Sequence, residues 1–242
     1  MWRDNLRGIF YIVLKDMKTY YLKPPAVSWG IVFPVAWILA FYLRSPGEFG
    51  ELLPGLLAMT ILFSTTAVEA VVFNLELRLG SFERLLLAPL SLPAVLLSKV
   101  FGGAIFGLMM TILVALGSVL FLKAGINIFY FVLILFPSLL AFSALGSLLC
   151  IMVREVFEAQ TLLNLPRFLM IFLSGVVYPV SAMPAGLQYL AHILPLTYTV
   201  EGMREALAPG QSSLVVVYSL ILVGFFAAFI WPAIKLFSRR FS

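Results

Sequence analysis

Glu69 and Arg167 each interrupt a stretch of sequence that is otherwise apolar. Placed on helices, they lie about 6 and 8 residues from the nearer span end, hence ~9 Å and ~12 Å deep. A carboxylate and a guanidinium at matching depth can pair, within one chain or across a dimer. Alternatively they snorkel to headgroups, or meet a polar or anionic solute. Either charge left alone in hydrocarbon costs several kcal/mol. Other chemistries lack their parts. One histidine (His192) and one cysteine (Cys150) cannot build a metal site within the chain or a disulfide framework. No G-x-x-x-x-G-K-[ST] run is present to cradle nucleotide phosphates. Ser174 and Ser181 are near His192 in sequence, but no third group is visible to orient a serine nucleophile. The sequence thus reads as non-catalytic, with no cofactor of its own.

The elements that must carry Glu69 and Arg167 follow from the spacing of charge. About 20 apolar residues in a helix cross the ~30 Å hydrocarbon core of a bilayer. Between Lys123 and Arg154 lie 30 residues without Asp, Glu, Lys or Arg, and composition is 62% hydrophobic against 11% charged. Charge-free runs of 20 residues (Lys23 to Arg44) and 23 (Lys99 to Lys123) give a first and a third span, and the 30-residue run gives a fourth. The second span begins with the 17 residues between Glu51 and Glu69 and continues to Leu75. A fifth, from about Ala159 to Tyr178, encloses Arg167, and a sixth runs from about Ser213 to Ile234. Backbone groups in lipid must be satisfied internally, so these are predicted helices, and the class is an all-α membrane protein with six transmembrane helices.

Six spans return both termini to one side. Thirteen of the 16 basic residues fall on that side, leaving Arg44, Lys123 and Arg204 on the other, so both termini are predicted to be cytoplasmic. The +5 net charge then reflects topology, and nucleic acid need not be invoked. Ahead of the spans, Trp2, Leu6, Ile9, Phe10, Val13, Met17, Tyr20 and Tyr21 recur at helical spacing. Arg3, Asp4, Arg7, Lys15 and Lys18 take the remaining surface. Residues 1–22 are therefore predicted to form an amphipathic helix in the lipid interface, ended by Pro24 and Pro25. The charged lead argues against a cleaved signal peptide. In the third span, Gly103-x-x-x-Gly107 permits close helix approach. Pro166 is expected to kink the fifth span or to free a carbonyl.

Two connecting segments stand out. Residues 76–99 contain Gly80 as a break, Ser81 as a cap, a turn or two of helix over Phe82–Leu87, and a second start at Ser91. That short helix suits docking on a cytoplasmic partner, though an ordinary solvated connector is the alternative. The other segment, residues 179–209, is too apolar for a solvated loop, yet Pro179, Pro184, Pro195 and Pro209 cut it short. Met183–Leu194 and Leu196–Leu207 are predicted as short re-entrant or interfacial outer helices.

These segments carry a resemblance. Arg78 with G-S-F-E-R-L-L-L-A-P-L-S (Gly80 to Ser91), followed by Lys99, resembles the coupling-helix loop of type-2 ATP-binding-cassette (ABC) transporter permeases. The runs L-S-G-V-V-Y-P-V-S-A-M-P (Leu173 to Pro184) and L-P-L-T-Y-T-V-E-G-M-R (Leu194 to Arg204) resemble that family's second motif. The resemblance covers nearly the whole chain as one transmembrane domain, residues 1–242. It implies an export permease in the plasma membrane, working as a homo- or heterodimer with separate nucleotide-binding ATPase subunits that hold ATP and Mg. ATPase coupling would then involve Arg78, Gly80, Ser81, Phe82, Glu83, Arg84, Leu85, Leu86 and Pro89. Glu69 and Arg167, on the second and fifth spans, would border the translocation pathway. Gly175, Tyr178, Pro179, Pro184, Pro195, Glu201 and Arg204 would belong to an outer gate. The alternatives are an ion-gradient-driven secondary transporter or channel, and a scaffold without transport. The former usually shows broken spans in both halves, whereas here only the second half is proline-broken. Cargo is not readable from the sequence.

Overall fold

The computed structural model describes residues 2–21, 23, 24, 28, 32–44, 49–78, 80, 81, 85, 87, 88, 90–122, 125–153, 156–208 and 213–241. Among these every regular element is helical. The order is α1 (Trp2–Asp16) with a π-helical extension (Met17–Tyr21), α2 (Phe33–Arg44), α3 (Phe49–Arg78) and α4 (Leu92–Leu122). Then follow α5 (Ile128–Met152), α6 (Val156–Leu173), α7 (Ala185–Ile193), α8 (Pro195–Leu207) and α9 (Leu214–Phe241). Four of them are long and apolar enough to cross a membrane among the described residues: α3, α4, α5 and α9. Helix α2 has 12 residues, and α6 has 18 with Glu158 and Arg167 among them. Pro166 lies inside α6, which continues through it.

Helix α3 is the axis. Its spanning stretch is buried almost throughout, against α4, α5, α6 and α8. The outer helices invert the pattern of a water-soluble protein. Phe101, Ile105, Met109, Leu113, Leu116 and Leu120 of α4 stand exposed, as do Leu220, Val223 and Trp231 of α9. Exposed apolar sides around a polar-dotted centre suit a lipid solvent, where burial of apolar surface does not drive helices together. Close packing takes its place, and Gly103 and Gly107 turn into the bundle. A Cβ on Gly103 would meet Glu69 and Ser143, and one on Gly107 would meet Thr65 and Leu139. The small-residue pair therefore serves contacts of α4 with α3 and α5 inside the chain.

The bundle has two ends. At the proximal end α1 lies along the first turns of α4, and α3, α5 and α9 finish. There Gly80, at φ +63°, takes the left-handed conformation that glycine tolerates best, two residues past the end of α3. At the distal end the proline-cut segment forms α7 and α8 close to the predicted limits, with a 3₁₀ turn at Val180–Ala182 ahead of them. One face of α8 (Leu196, Val200, Met203, Ala206) is buried against α3, α5 and α9, while α7 leaves Tyr189 and Ile193 exposed.

Adding one methyl group tests the packing. Gly103→Ala should cost roughly 1–3 kcal/mol through overpacking. Gly117→Ala, where a Cβ meets nothing within 4 Å, should be neutral or stabilise by up to about 1 kcal/mol. Thermal unfolding of the purified protein separates them, and equal melting curves would refute the close approach at Gly103.

Candidate functional site

The densest polar assembly joins the proximal ends of three helices. The Lys99 side chain, on the second turn of α4, has no exposure. Its Nζ lies 2.7 Å from Asp16 Oδ2 and 2.5 Å from Glu76 Oε2. Lys15, with 37% of its side chain exposed, reaches Glu76 Oε1 and stands 2.9 Å from Asp16 Oδ1. Asp16 and Glu76 are fully buried, so two lysines and two carboxylates close into a neutral set. Burial lowers the affinity of the Lys15 ammonium for its proton, but Glu76 and Asp16 together outweigh that and hold its pKa above the ordinary value. Tyr21 lies buried close by, its ring 5.8 Å from Phe106 and its hydroxyl without a hydrogen-bond partner. Burial first, then the fields of Glu69, Asp16 and Glu76, push the Tyr21 phenol well above its usual range, so it stays neutral.

A second tie lies at the start of α1. Asn5 Nδ2 donates to Ser91 Oγ at 3.3 Å, and the Ser91 N–H donates to Asn5 Oδ1 at 3.3 Å. Ser91 immediately precedes α4, the N-cap place expected for it, but its side chain is engaged by α1. The face that α1 turns to the protein is thus Asn5, Gly8, Ile12 and Asp16, while Leu6, Phe10 and Leu14 face outward with Arg7. This differs from the expectation that Lys15 lies on a plain polar face. The reason is that Glu76 and Lys99 offer charges a solvent cannot replace at a buried position. The cluster's signal was in the sequence: Asn5, Gly8, Ile12 and Asp16 repeat at helical spacing, a second stripe with polar ends beside the apolar one.

Glu76 and Lys99 are the two roots of the 76–99 segment. Of its predicted coupling residues, Phe82, Glu83, Arg84, Leu86 and Pro89 lie outside the described residues, as does the Arg78 side chain. Gly80, Ser81 and Leu85 are described, and the Ser81 hydroxyl lies 3.4 Å from the Glu76 carbonyl.

Within the chain, Glu69 and Arg167 do not pair. Glu69 turns to α4 and α5, where Ser143 Oγ lies 2.7 Å from its Oε1 and also 2.7 Å from the Val100 carbonyl. The single Ser143 proton serves one of them at a time. Arg167 comes from α6 to a different part of α3. Its Nε donates to Thr66 Oγ1 at 2.7 Å and its Nη1 to Asn164 Oδ1 at 3.0 Å. Its guanidinium lies 5.4 Å from the centre of the Phe63 ring. The cause of the separation is steric: Gly103 and Gly146 leave room beside Glu69 for its carboxyl to lie between α4 and α5.

At the distal end Gly175, Glu201 and Arg204 converge. Arg204 Nη1 is 2.6 Å from Glu201 Oε1, and its Nη2 donates to the Gly175 carbonyl at 3.5 Å. Gly175 sits at φ +80°, where a β-carbon would be strained. A cavity of about 480 Å³ opens here, between the start of α3 (Gly50–Pro54) and the turn after α6 (Gly175–Pro179), with Arg204 in its wall. Tyr178 and Pro184 are exposed, and Pro195 is buried at the start of α8.

A family model described as ABC-2 type transporter matches residues 7–208. Among curated proteins, the chain is similar to ycf38 of Cyanophora paradoxa, described in its name as a transport permease. They are 26% identical over 217 residues, which cover 82% of this chain and 73% of that protein. It is similar to "Inner membrane transport permease YadH" of Escherichia coli K12, 28% identical over 182 residues, covering 74% and 70% of the two chains. It is similar also to "Probable multidrug ABC transporter permease YbhS" of the same organism, 25% identical over 233 residues, covering 92% of this chain and 55% of that one. The chain therefore spans between 55% and 73% of the lengths of these relatives.

Removing one member of the cluster should be costly. Lys99→Met leaves two buried carboxylates with only half-exposed Lys15, a loss of about 3–5 kcal/mol. The double exchange Lys99→Glu with Glu76→Lys should recover part of that. Melting temperature and protease sensitivity near residue 16 read both; a Lys99→Met protein as stable as wild type would exclude the buried ion pairs.

Proposed function

Because this chain belongs to the ABC-2 type transporter family, we propose that it is the permease subunit of an ATP-driven exporter in the plasma membrane. The match over residues 7–208 is the observation that carries this, since it takes in both motif segments. Helices α2 and α6 serve as the first and fifth spans, and α7 with α8 as the re-entrant outer pair. Both termini face the cytoplasm, in keeping with the 13-to-3 division of basic residues. Two such subunits, alike or different, enclose the pathway in the lipid bilayer, and a separate ATPase carrying ATP and Mg sits beneath each.

The coupling chemistry belongs to residues 76–99. An ATPase that closes on ATP presses the segment around Glu83, and the rigid roots at Glu76 and Lys99 pass the displacement to α3 and α4. Helix α1 moves with them because Asp16 holds it to Lys99 and Asn5 holds it to Ser91, just ahead of α4. Nucleotide binding biases the pathway only through contacts that differ between its two states. At the far end, Gly175, Glu201 and Arg204 form the latch of the outer gate, with Tyr178, Pro179, Pro184 and Pro195 shaping its turns. Along the pathway, Arg167 borders the α3–α6 seam, and Glu69 stands one helical turn further along α3 from Thr66.

A gradient-driven carrier is the reading to be separated from this one. The protein should copurify with a nucleotide-binding ATPase when the two are co-expressed. Glu83→Arg should lower ATP-driven transport by roughly 5–150-fold, the range of a coupling free energy of about 1–3 kcal/mol. Solute movement in liposomes on a proton or sodium gradient, with no second protein present, would falsify the exporter assignment.

A further inference from the structure

Among the described residues, five Asp, Glu, Lys or Arg side chains are buried to 2% exposure or less: Asp16, Glu69, Glu76, Lys99 and Arg167. Three of them neutralise one another with Lys15 at the proximal end. Glu69 and Arg167 have no counter-ion within 4 Å among the described residues. They differ in what that implies. A carboxyl can shed its charge by binding a proton, whereas a guanidinium stays charged in proteins. Arg167 is thus a permanent cation in the bundle with only neutral partners, the Thr66 hydroxyl and the Asn164 carbonyl. Its Nη2 is buried without any hydrogen-bond partner. The aromatic face of Phe63 offsets only part of that cost.

Resting on the permease reading, we propose that Arg167 receives the acidic headgroup of the cargo, and that the cargo is an anionic amphiphile. Nη2 offers two unused N–H groups to a carboxylate, sulfonate or phosphate, a charge-assisted contact that neutral acceptors do not match. The apolar part of the ligand also has a place. On the outward side of α6, beside Arg167, Leu165, Phe168, Leu169 and Phe172 are exposed. A tail lying along them would place an acid at the α3–α6 seam. The same seam ends about 8 residues further along, at Gly175 and the distal cavity, ~12 Å away along the helix. Arg204 waits there, already paired with Glu201. A guanidinium so neutralised attracts an anion without retaining it, which suits an exit.

The test is a titration of the full chain in nanodiscs of neutral phosphatidylcholine, with 11-(dansylamino)undecanoic acid and with its uncharged methyl ester. Wild type should bind the acid about tenfold or more tightly than the ester, as expected for a charge-assisted pair. Arg167→Gln should erase that preference while leaving ester binding in place, and Arg167→Lys should keep part of it. Asn164→Asp supplies an internal anion to the same guanidinium and should erase the preference too, with melting curves confirming that each variant folds. Equal binding of acid and ester by wild type would overturn the assignment, as would a preference that survives in both Arg167→Gln and Asn164→Asp. Displacement of the acid by an equal concentration of inorganic phosphate would overturn the amphiphile. Loss of the acid preference with ATP-driven transport intact removes this inference alone. An intact preference without ATP-driven transport removes the exporter reading instead.

Discussion

Lys99 is a lysine with no contact with solvent, and only the carboxylates of Asp16 and Glu76 let it remain charged there. The dependence is mutual, since either carboxylate alone would face the desolvation penalty that its lysine cancels. An ion-pair set of this kind adds little net stability compared with well-packed apolar groups, but it tolerates only one arrangement. The arrangement fixes three helices: α1 through Asp16, α3 through Glu76 and α4 through Lys99. Glu76 and Lys99 cannot slide past each other without separating buried charges. Asn5 and Ser91 add a weaker tie about ten residues back along α1. The proximal end is therefore one mechanical unit, although its parts come from distant places in the chain.

From that unit α3 runs through the bundle as its packed axis. Its neighbours approach closely where they are small, as at Gly103, and polar groups at those contacts satisfy each other. The Ser138 and Thr199 hydroxyls, 3.1 Å apart, repeat the pattern between α5 and α8 near the distal end. All four hydroxyls of α3 donate to their own helix: Thr60, Ser64, Thr65 and Thr66 each reach a carbonyl four residues back. Such bonds make a hydroxyl tolerable in an apolar setting without a partner on another helix. The axis thus carries polarity inside while its partners show lipid an apolar side.

Much of this was legible in the sequence, because charge-free length is set by bilayer thickness and leaves a mark no single contact can erase. The long helices, the amphipathic lead and the proline-cut pair all follow from local rules of that sort. Partner identity does not. Glu69 and Arg167 share a depth, and depth alone suggested pairing, yet rotation about α3 and the space beside Gly103 send Glu69 to Ser143 instead. Lys15 reads as an ordinary interfacial charge because nothing local announces that Lys99, 83 residues away from Asp16, is buried against its neighbour Asp16. The stripe of Asn5, Gly8, Ile12 and Asp16 was the one local trace. It is hidden by the more conspicuous apolar stripe of Leu6, Phe10 and Leu14, which faces outward.

The contrast between firmly and loosely held helices bears on how such a bundle moves. Helices α1, α3 and α4 share buried charges, and α5 is packed along α3, α4 and α9. Helix α6 rests mainly on α3, with slighter contacts to α5, α7 and α8, and its outward side is exposed. The contact between α3 and α6 is held by Arg167 through one neutral hydrogen bond, to Thr66, and the aromatic face of Phe63, where a matching carboxylate would have locked it. A bound cation without an anion is a poor clamp, since leaving the site relieves its own desolvation. Sliding or tilting of α6 against the axis thus costs less than separating α1, α3 and α4, and is of the small shear type that packed helices permit. It would open the seam at the one buried permanent charge without a counter-ion among the described residues.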